Sequence, residues 1–123
     1  MTDKVVDASA IATIIFDEPS RPVAESATHG AVLFAPTLIG YELGNVCLKK
    51  IRQRPNERDA LLSALQAYPA FGIMEEEIAS NEVIALAEQK RLSLYDASYL
   101  WLADKLGAEL VTLDKRLARA DKP

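Results

Sequence analysis

Short apolar runs alternate with longer amphipathic segments along the chain, and this alternation predicts strands separated by helices. Strands are predicted at Val5-Val6, 31–35, 71–74 and 109–112, where short apolar runs are bounded by charged or turn residues. Such an order implies an α/β fold with a largely parallel central sheet of about four strands flanked by helices. Apolar residues three and four apart predict helices over 8–16, 21–28, 37–53, 78–90, 93–106 and 115–120, and another around Leu61, Leu62 and Leu65.

Capping residues define several of the predicted helix ends. Thr37 is a candidate N-cap, which places Glu42 past the first turn of its helix, on a face shared with apolar neighbours. Ser93 and Asp96 fit the Ser-x-x-acid capping box, and Gly107 fits the position that follows a helix end. An unpaired charge on an apolar face is costly, so Glu42 needs a compensating partner.

The 123 residues, 50% of them hydrophobic, predict one compact domain over 1–123. No run of about 18 uncharged apolar residues occurs, so we expect a soluble, cytoplasmic protein without a membrane segment. Cys47 is the single cysteine, which excludes an internal disulfide and suits a small buried side chain. His29 is the single histidine, so a mechanism that needs two histidines has no residues to use.

The formal net charge of −4 argues against broad attraction to phosphate backbones, although it does not exclude a nucleic-acid substrate. Basic residues cluster locally, and one such cluster falls on the helical pair that follows the second strand. Either it steers a substrate or it is a solvated helix face, and charge clustering alone does not decide between the two. The candidate substrate-binding residues are Lys49, Lys50, Arg52 and Arg54.

Four acids, Asp7, Glu42, Asp96 and Asp114, lie where predicted strands give way to helices. The carboxyl ends of parallel strands share one edge of a sheet, so these acids should meet in space. Two unit charges about 4 Å apart repel by roughly 4 kcal/mol at an effective dielectric of 20, so a divalent cation or protonation must relieve them. Oxygen ligands favour Mg²⁺ or Mn²⁺ over zinc. Asp7, Asp96 and Asp114 also fit ordinary capping roles, and that interpretation stays open.

Four motifs follow one another along the chain. The first is Val5-Val6-Asp7-Ala8-Ser9, and the second runs from Pro36 through Glu42 to Asn45 and Val46. The third is Ser93-Leu94-Tyr95-Asp96-Ala97-Ser98-Tyr99-Leu100, followed by Leu106-Gly107, and the fourth is Leu110-Val111-Thr112-Leu113-Asp114. In this order they resemble the PIN-domain family, and within it the VapC-type toxin ribonucleases of toxin–antitoxin pairs, over nearly the whole chain.

This resemblance implies a magnesium- or manganese-dependent endoribonuclease that hydrolyses RNA with a metal-activated water. Asp7, Glu42, Asp96 and Asp114 would be both catalytic and metal-binding. Ser9 and Thr112 would position water or support the ligands, and Asn45 would support the acidic site. The resemblance also implies a homodimer and a cognate antitoxin that inhibits the enzyme.

Two other hypotheses come from different classes of protein. A noncatalytic module of the same fold would use the acidic cleft to receive a basic protein or peptide, although a scaffold has no physical need for four mutually repelling acids. A phosphatase with Asp7 as nucleophile usually has a second acid two residues later, where this chain has Ser9. Both rank below the nuclease.

Overall fold

The computed structural model describes residues 1–122 and contains a four-stranded sheet in which every neighbouring pair of strands is parallel. The predicted α/β class is therefore confirmed. The strands are β1 (Asp3–Val6), β2 (Val32–Pro36), β3 (Met74–Glu76) and β4 (Glu109–Val111). The helices are α1 (Ala8–Ile15), α2 (Arg21–Thr28), α3 (Ile39–Gln53), α4 (Arg58–Gln66), α5 (Ser80–Lys90), α6 (Leu94–Leu106) and α7 (Lys115–Ala120), with short 3₁₀ turns at Pro55–Glu57 and Tyr68–Phe71.

The strand order β3-β2-β1-β4 creates a switch point between β1 and β4. The chain moves outward from β1 to β2 and β3, then returns to place β4 on the other side of β1. Val5 consequently pairs with both Phe34 and Leu110. The connection that follows β1 runs to one side of it, whereas β4 and the helix that follows it lie on the other side. In α/β folds, the crevice at the carboxyl ends of the strands at such a switch point is where ligands bind.

The core lies between the sheet and the helices that pack on it. Helix α6 contacts β1, β2 and β4, α5 packs against α6, and α1 packs against α2 and α3. Residues 97–103 of α6 are all buried, as expected for a helix that is apolar nearly all round. Cys47 is also buried, as predicted. In residues 1–122 none of the helices has the length and apolarity needed to cross a bilayer.

The start of α3 differs from the prediction. Thr37 is not the N-cap, because its backbone N–H donates to the Glu76 carbonyl at 3.0 Å and extends the pairing of β2 with β3. The helix begins at Ile39 after Leu38, which makes no side-chain capping bond. Glu42 therefore lies in the first turn, not past it, and its carboxylate is close to the positive end of the helix dipole.

The third strand also differs from the predicted 71–74. Residues Tyr68–Phe71 form a 3₁₀ turn that Gly72 ends with a φ of 65°, a left-handed conformation that glycine adopts readily. The strand forms two residues later, at Met74–Glu76, and all three of its side chains are exposed. It is an edge strand, so its alignment follows from pairing with β2 and not from an apolar pattern of its own.

Candidate active site at the carboxyl edge of the sheet

Asp7 follows β1 and is almost fully buried, with 5% of its surface exposed. Its Oδ1 accepts hydrogen bonds from the Ser9 hydroxyl at 2.7 Å and from the Ala10 backbone N–H at 3.1 Å. Its Oδ2 accepts a hydrogen bond from the Thr112 hydroxyl, which comes from the end of β4. The capping interpretation is therefore correct for one oxygen, while the other faces the switch point.

Two hydroxyl groups join β1 to the chain that follows β4. The Ser9 hydroxyl accepts the Leu113 backbone N–H at 2.9 Å while it donates to Asp7. The Thr112 hydroxyl likewise accepts the Asp114 backbone N–H at 3.0 Å while it donates to the same carboxylate. Each hydroxyl uses its one hydrogen on Asp7, so the orientation of this carboxylate is determined from both sides.

Asp114 begins α7, and its Oδ1 accepts the backbone N–H groups of Arg116 at 2.8 Å and Leu117 at 3.2 Å. The N-cap interpretation is therefore confirmed for this residue. Its second oxygen has no protein donor in residues 1–122. One oxygen of Asp114 stabilises the helix, and the other is available at the crevice beside Asp7.

Glu42 finds its compensating partner in Tyr99. The Tyr99 hydroxyl donates to Glu42 Oε1 at 2.6 Å, which joins α3 to α6 across 57 positions of sequence. Tyr99 is 1% exposed, and burial together with the neighbouring Glu42 carboxylate raises the pKa of its hydroxyl, which therefore stays protonated as a donor. Sequence reasoning assigned the aromatic residues of α6 to the core, although a buried tyrosine usually requires a hydrogen-bond partner, and that requirement was the available signal.

Asp96 lies in the first turn of α6, and its backbone N–H donates to the Ser93 side chain at 3.1 Å, as the predicted capping box requires. Its half-buried carboxylate is near Arg116, whose positive charge lowers the Asp96 pKa against the larger effects of burial and of Asp114. Arg116 is itself held by a 2.9 Å hydrogen bond to the Arg91 carbonyl. Arg116 was not predicted to belong to the site.

The four acids influence one another electrostatically. The pKa of Asp7 is raised, first by burial and also by the charge of Asp114, although its three hydrogen bonds oppose the shift. The pKa of Glu42 is raised by burial and further by Asp96 and Asp7. Asp7, which follows β1, and the acids at the starts of α3, α6 and α7 are therefore near enough for their charges to interact, and their role as metal ligands stays a prediction.

The chemistry of this region fits a hard divalent cation. Every predicted ligand is a carboxylate oxygen. Glu42 and Asp114 each use one oxygen for hydrogen bonds within the protein, whereas both oxygens of Asp7 accept such bonds. As the side chains stand in residues 1–122, no three acidic, histidine or cysteine groups are placed closely enough to hold an ion. Glu42 and Asp96 are only half-buried.

The other predicted residues occupy different surroundings. Asn45 is exposed one turn after Glu42 and lines the same cavity as that acid. Lys50 already has an ion pair with Glu18 at 3.0 Å and lies 5.5 Å from the centre of the Phe16 ring. Arg54 is 3.6 Å from Glu57, whereas Lys49 and Arg52 are exposed. These residues follow Glu42 along α3 by roughly 10–18 Å at 1.5 Å per residue.

The fold and the site together define a parallel α/β domain with a carboxylate-lined crevice at its switch point. The family model of the PIN domain matches residues 4–123. The chain is 35% identical over 119 residues to Ribonuclease VapC3 of Pyrobaculum aerophilum, covering 93% of this chain and 91% of that protein. It is 32% identical over 83 residues to Exonuclease VapC9 of the same organism, covering 67% of this chain and 62% of that protein.

A solved structure gives the same result for the fold. The crystal structure of PAE2754 from Pyrobaculum aerophilum matches with a TM-score of 0.79 and 27% sequence identity, over 98% of this chain and 87% of that one. This chain belongs to the PIN domain family. The predicted family resemblance is therefore confirmed.

Proposed function

We propose that this protein is a ribonuclease that hydrolyses RNA phosphodiester bonds at the crevice formed by Asp7, Glu42, Asp96 and Asp114. The observation that carries the proposal is the placement of acids from four separate segments at the carboxyl edge of the sheet, where the Thr112 hydroxyl contacts both Asp7 and the Asp114 backbone and Tyr99 holds Glu42. The ribonuclease name of a relative that is 35% identical supports it. We further propose an endonucleolytic mode that depends on Mg²⁺ or Mn²⁺.

The four carboxylates would hold the cation through the oxygens not used in capping or in the bond to Tyr99. A bound divalent cation lowers the pKa of water and neutralises negative charge on a phosphodiester. Asp7 would supply the fixed position, since both of its oxygens are already oriented by hydroxyl groups. Glu42 and Asp96 would rotate toward Asp7 and Asp114, because both are half-buried and lie on helices.

The surrounding residues have separate roles in this proposal. Ser9 and Thr112 orient Asp7, and Tyr99 orients Glu42, so the carboxylates are partly pre-organised before substrate arrives. Glu42 is half-exposed with a raised pKa, which suits a group that accepts a proton from the attacking water. Arg116 places a positive charge beside Asp96, where it would contact the substrate phosphate.

The biological setting follows from the same resemblance. We propose that the protein acts in the cytoplasm as the toxin of a toxin–antitoxin pair, as a homodimer, and that a cognate antitoxin inhibits it. The relatives named VapC support this assignment. An acidic crevice would receive a basic side chain of an inhibitor by charge complementarity. A noncatalytic module is the alternative if the crevice binds such a partner but no cation.

The test is cleavage of a structured RNA by purified wild-type protein, Asp7→Asn and Asp59→Asn, with Mg²⁺ or with excess chelator. Asp59 is a fully exposed acid on α4 and serves as the matched control. We expect cleavage by wild type and Asp59→Asn only when the metal is present, and none by Asp7→Asn. Equal cleavage by wild type and Asp7→Asn, with or without chelator, would contradict the proposal.

A second substrate separates the two modes of cleavage. A covalently closed circular RNA has no ends, so an endonuclease linearises it whereas an exonuclease leaves it intact. We expect the wild-type protein to linearise the circle. Degradation confined to linear RNA would retain the ribonuclease and overturn the endonucleolytic assignment, which matters because one relative carries the name exonuclease.

A further inference from the structure

A cavity of about 560 Å³ opens directly beside the acidic crevice. Its volume is within the usual range for pockets that take a small molecule or one part of a larger ligand. Most of its wall is apolar, while Glu42 and Asn45 place polar groups at the side next to the acids. It is lined by Ala8, Leu38, Tyr41, Glu42, Asn45, Val46 and Tyr95.

The two tyrosines that line this cavity are unusually exposed. Tyr41 is 86% exposed and Tyr95 is 59% exposed, so neither ring contributes much to the core. Each immediately precedes an acid of the crevice, since Tyr41 is followed by Glu42 and Tyr95 by Asp96. The two rings therefore come from the starts of α3 and α6 and meet at one cavity with their faces available to a ligand.

We propose that this cavity binds an unpaired base of the RNA substrate, which stacks on Tyr41 and Tyr95 next to the bond that is cut. This inference rests on the proposed ribonuclease function. The cavity shares Glu42 with the crevice, so a ligand that reaches the acids can extend into it. The nucleotide next to the scissile phosphate is the part of an RNA that would do so.

Stacking also explains how an acidic protein could bind RNA at this position. The protein has a net charge of −4 and its crevice is acidic, so attraction to phosphate contributes little at this position. Stacking of a base on an aromatic side chain does not depend on charge and is worth about 1–3 kcal/mol per base. A base inside a duplex has its faces covered, so the cavity selects unpaired RNA.

The test measures binding in the Asp7→Asn protein, so that the RNA is not consumed. Short fluorescent oligonucleotides of A, C and U are titrated singly, and each is also titrated as a duplex with its complement. We expect Tyr41→Ala and Tyr95→Ala, each added to that protein, to weaken single-strand binding by about 5–150-fold, the range that corresponds to one lost stack. Tyr41→Phe keeps the ring and should retain most of the affinity.

Leu48→Ala is the matched control, because Leu48 is an exposed apolar residue of the same helix, 42% exposed and outside the cavity. It should not change RNA binding, and melting temperatures of all variants confirm that each is folded. Three results would overturn the inference. They are no measurable affinity for single-stranded RNA, equal affinity for the duplex, or unchanged binding by both alanine variants.

Failure of this inference is distinguishable from failure of the proposed function. Metal-dependent cleavage with no effect of the tyrosine variants on binding retains the ribonuclease and removes the base-binding cavity. If the protein binds single strands through the tyrosines but never cleaves RNA, the base-binding cavity is retained and the proposed ribonuclease function is removed. Loss of a protein partner in Tyr41→Ala, with unchanged RNA affinity, would identify the cavity as a protein docking surface and overturn the inference.

Discussion

The two halves of the acidic crevice are built in different ways. On the β1 and β4 side, Asp7 is 5% exposed, and the hydroxyl groups of Ser9 in the first turn of α1 and of Thr112 after β4 fix its carboxylate. On the α3 and α6 side, Glu42 and Asp96 are half-buried at helix starts. Glu42 accepts a hydrogen bond from Tyr99, and Asp96 has the nearby charge of Arg116. One half is fixed by the sheet, and the other is adjustable.

This difference assigns a separate role to each half of the crevice. A group held by several hydrogen bonds loses little entropy when a ligand arrives, which favours precise positioning. Half-buried carboxylates on helices can instead move to meet a cation and a substrate of variable shape. The comparison predicts that substitutions in the fixed half affect both stability and activity, whereas those in the adjustable half affect mainly activity and its pH dependence.

The largest effect is expected for Thr112→Val in the fixed half. Valine keeps the shape of threonine but removes the donor to Asp7 and the acceptor for the Asp114 backbone N–H. Residues that orient metal ligands typically contribute 10–100-fold to activity, so we expect cleavage to fall by about that factor. Loss of a bond to a buried group should also lower the free energy of unfolding by about 1–3 kcal/mol.

Denaturant unfolding and initial cleavage rates measure both effects of Thr112→Val. Thr37→Val changes the same residue type at an exposed position and should leave both values unaltered. Thr112→Ser, which retains the hydroxyl, should recover most of the activity. An inactive Thr112→Ser protein would show that packing of the methyl group, and not the hydrogen bond, is what matters.

A smaller effect is expected for Tyr99→Phe, which tests the adjustable half. Phenylalanine preserves the packing of α6 and removes only the hydroxyl that donates to Glu42. Because Glu42 is half-exposed, water replaces much of this bond, and the loss of stability should be about 1 kcal/mol or less. The donor favours the ionised carboxylate, so its removal raises the pKa of Glu42 further.

The pH profile of cleavage is the measurement for Tyr99→Phe. If Glu42 must be ionised to accept a proton, the acidic limb of the profile should move to higher pH in this variant. An unchanged limb together with a lower plateau would show that Tyr99 supports the site without acting through the ionisation of Glu42. Ser93→Ala, which removes a hydrogen bond of the Asp96 backbone in the same half, is a useful comparison.

The smallest effect concerns the stability of the fixed half when no metal is bound, and its sign follows from the raised pKa of Asp7. Burial raises the Asp7 pKa above its ordinary 3.8, so the unfolded chain loses this proton more readily than the folded protein. Ionisation of Asp7 therefore costs stability above pH 3.8, and this cost reaches its full size once the pH exceeds the folded-state pKa. Below pH 3.8 the cost disappears.

Asp7→Asn should consequently melt at a higher temperature than wild type at neutral pH in the presence of a chelator. Each 1 kcal/mol corresponds to roughly 3–6 °C for a domain of this size. The advantage should shrink as the pH falls, because wild-type Asp7 then becomes neutral as well. Thermal melts over a pH series measure it, and a variant that is less stable at every pH would show that the hydrogen bonds of Asp7 outweigh its burial.

Much of this site was predictable because strand ends and acids are visible in the sequence. Asp7 and Asp114 had two interpretations, as caps or as site residues, and the structure shows that one carboxylate can cap with one oxygen and leave the other at the crevice. The spacing of residues in the sequence could not decide between a capping role and a site role, because one carboxylate can have both. The resemblance to the PIN-domain family supplied the order of the four motifs.

The remaining features depend on contacts between distant segments. The start of α3 was predicted wrongly because the Thr37 backbone pairs with β3, and β3 itself has no apolar pattern that would reveal it. The bond between Tyr99 and Glu42 spans 57 positions, and the partner of Lys50 is 32 positions away. No local pattern encodes these pairs, so they required coordinates.

The central claim is that the four carboxylates hold one or two divalent cations, and calorimetric titration with Mn²⁺ tests it most directly. The account predicts binding by wild type and by Asp59→Asn, with at least tenfold weaker affinity in Asp7→Asn and Asp96→Asn, one from each half of the crevice. No binding by the wild-type protein, or equal affinity in all four proteins, would contradict it.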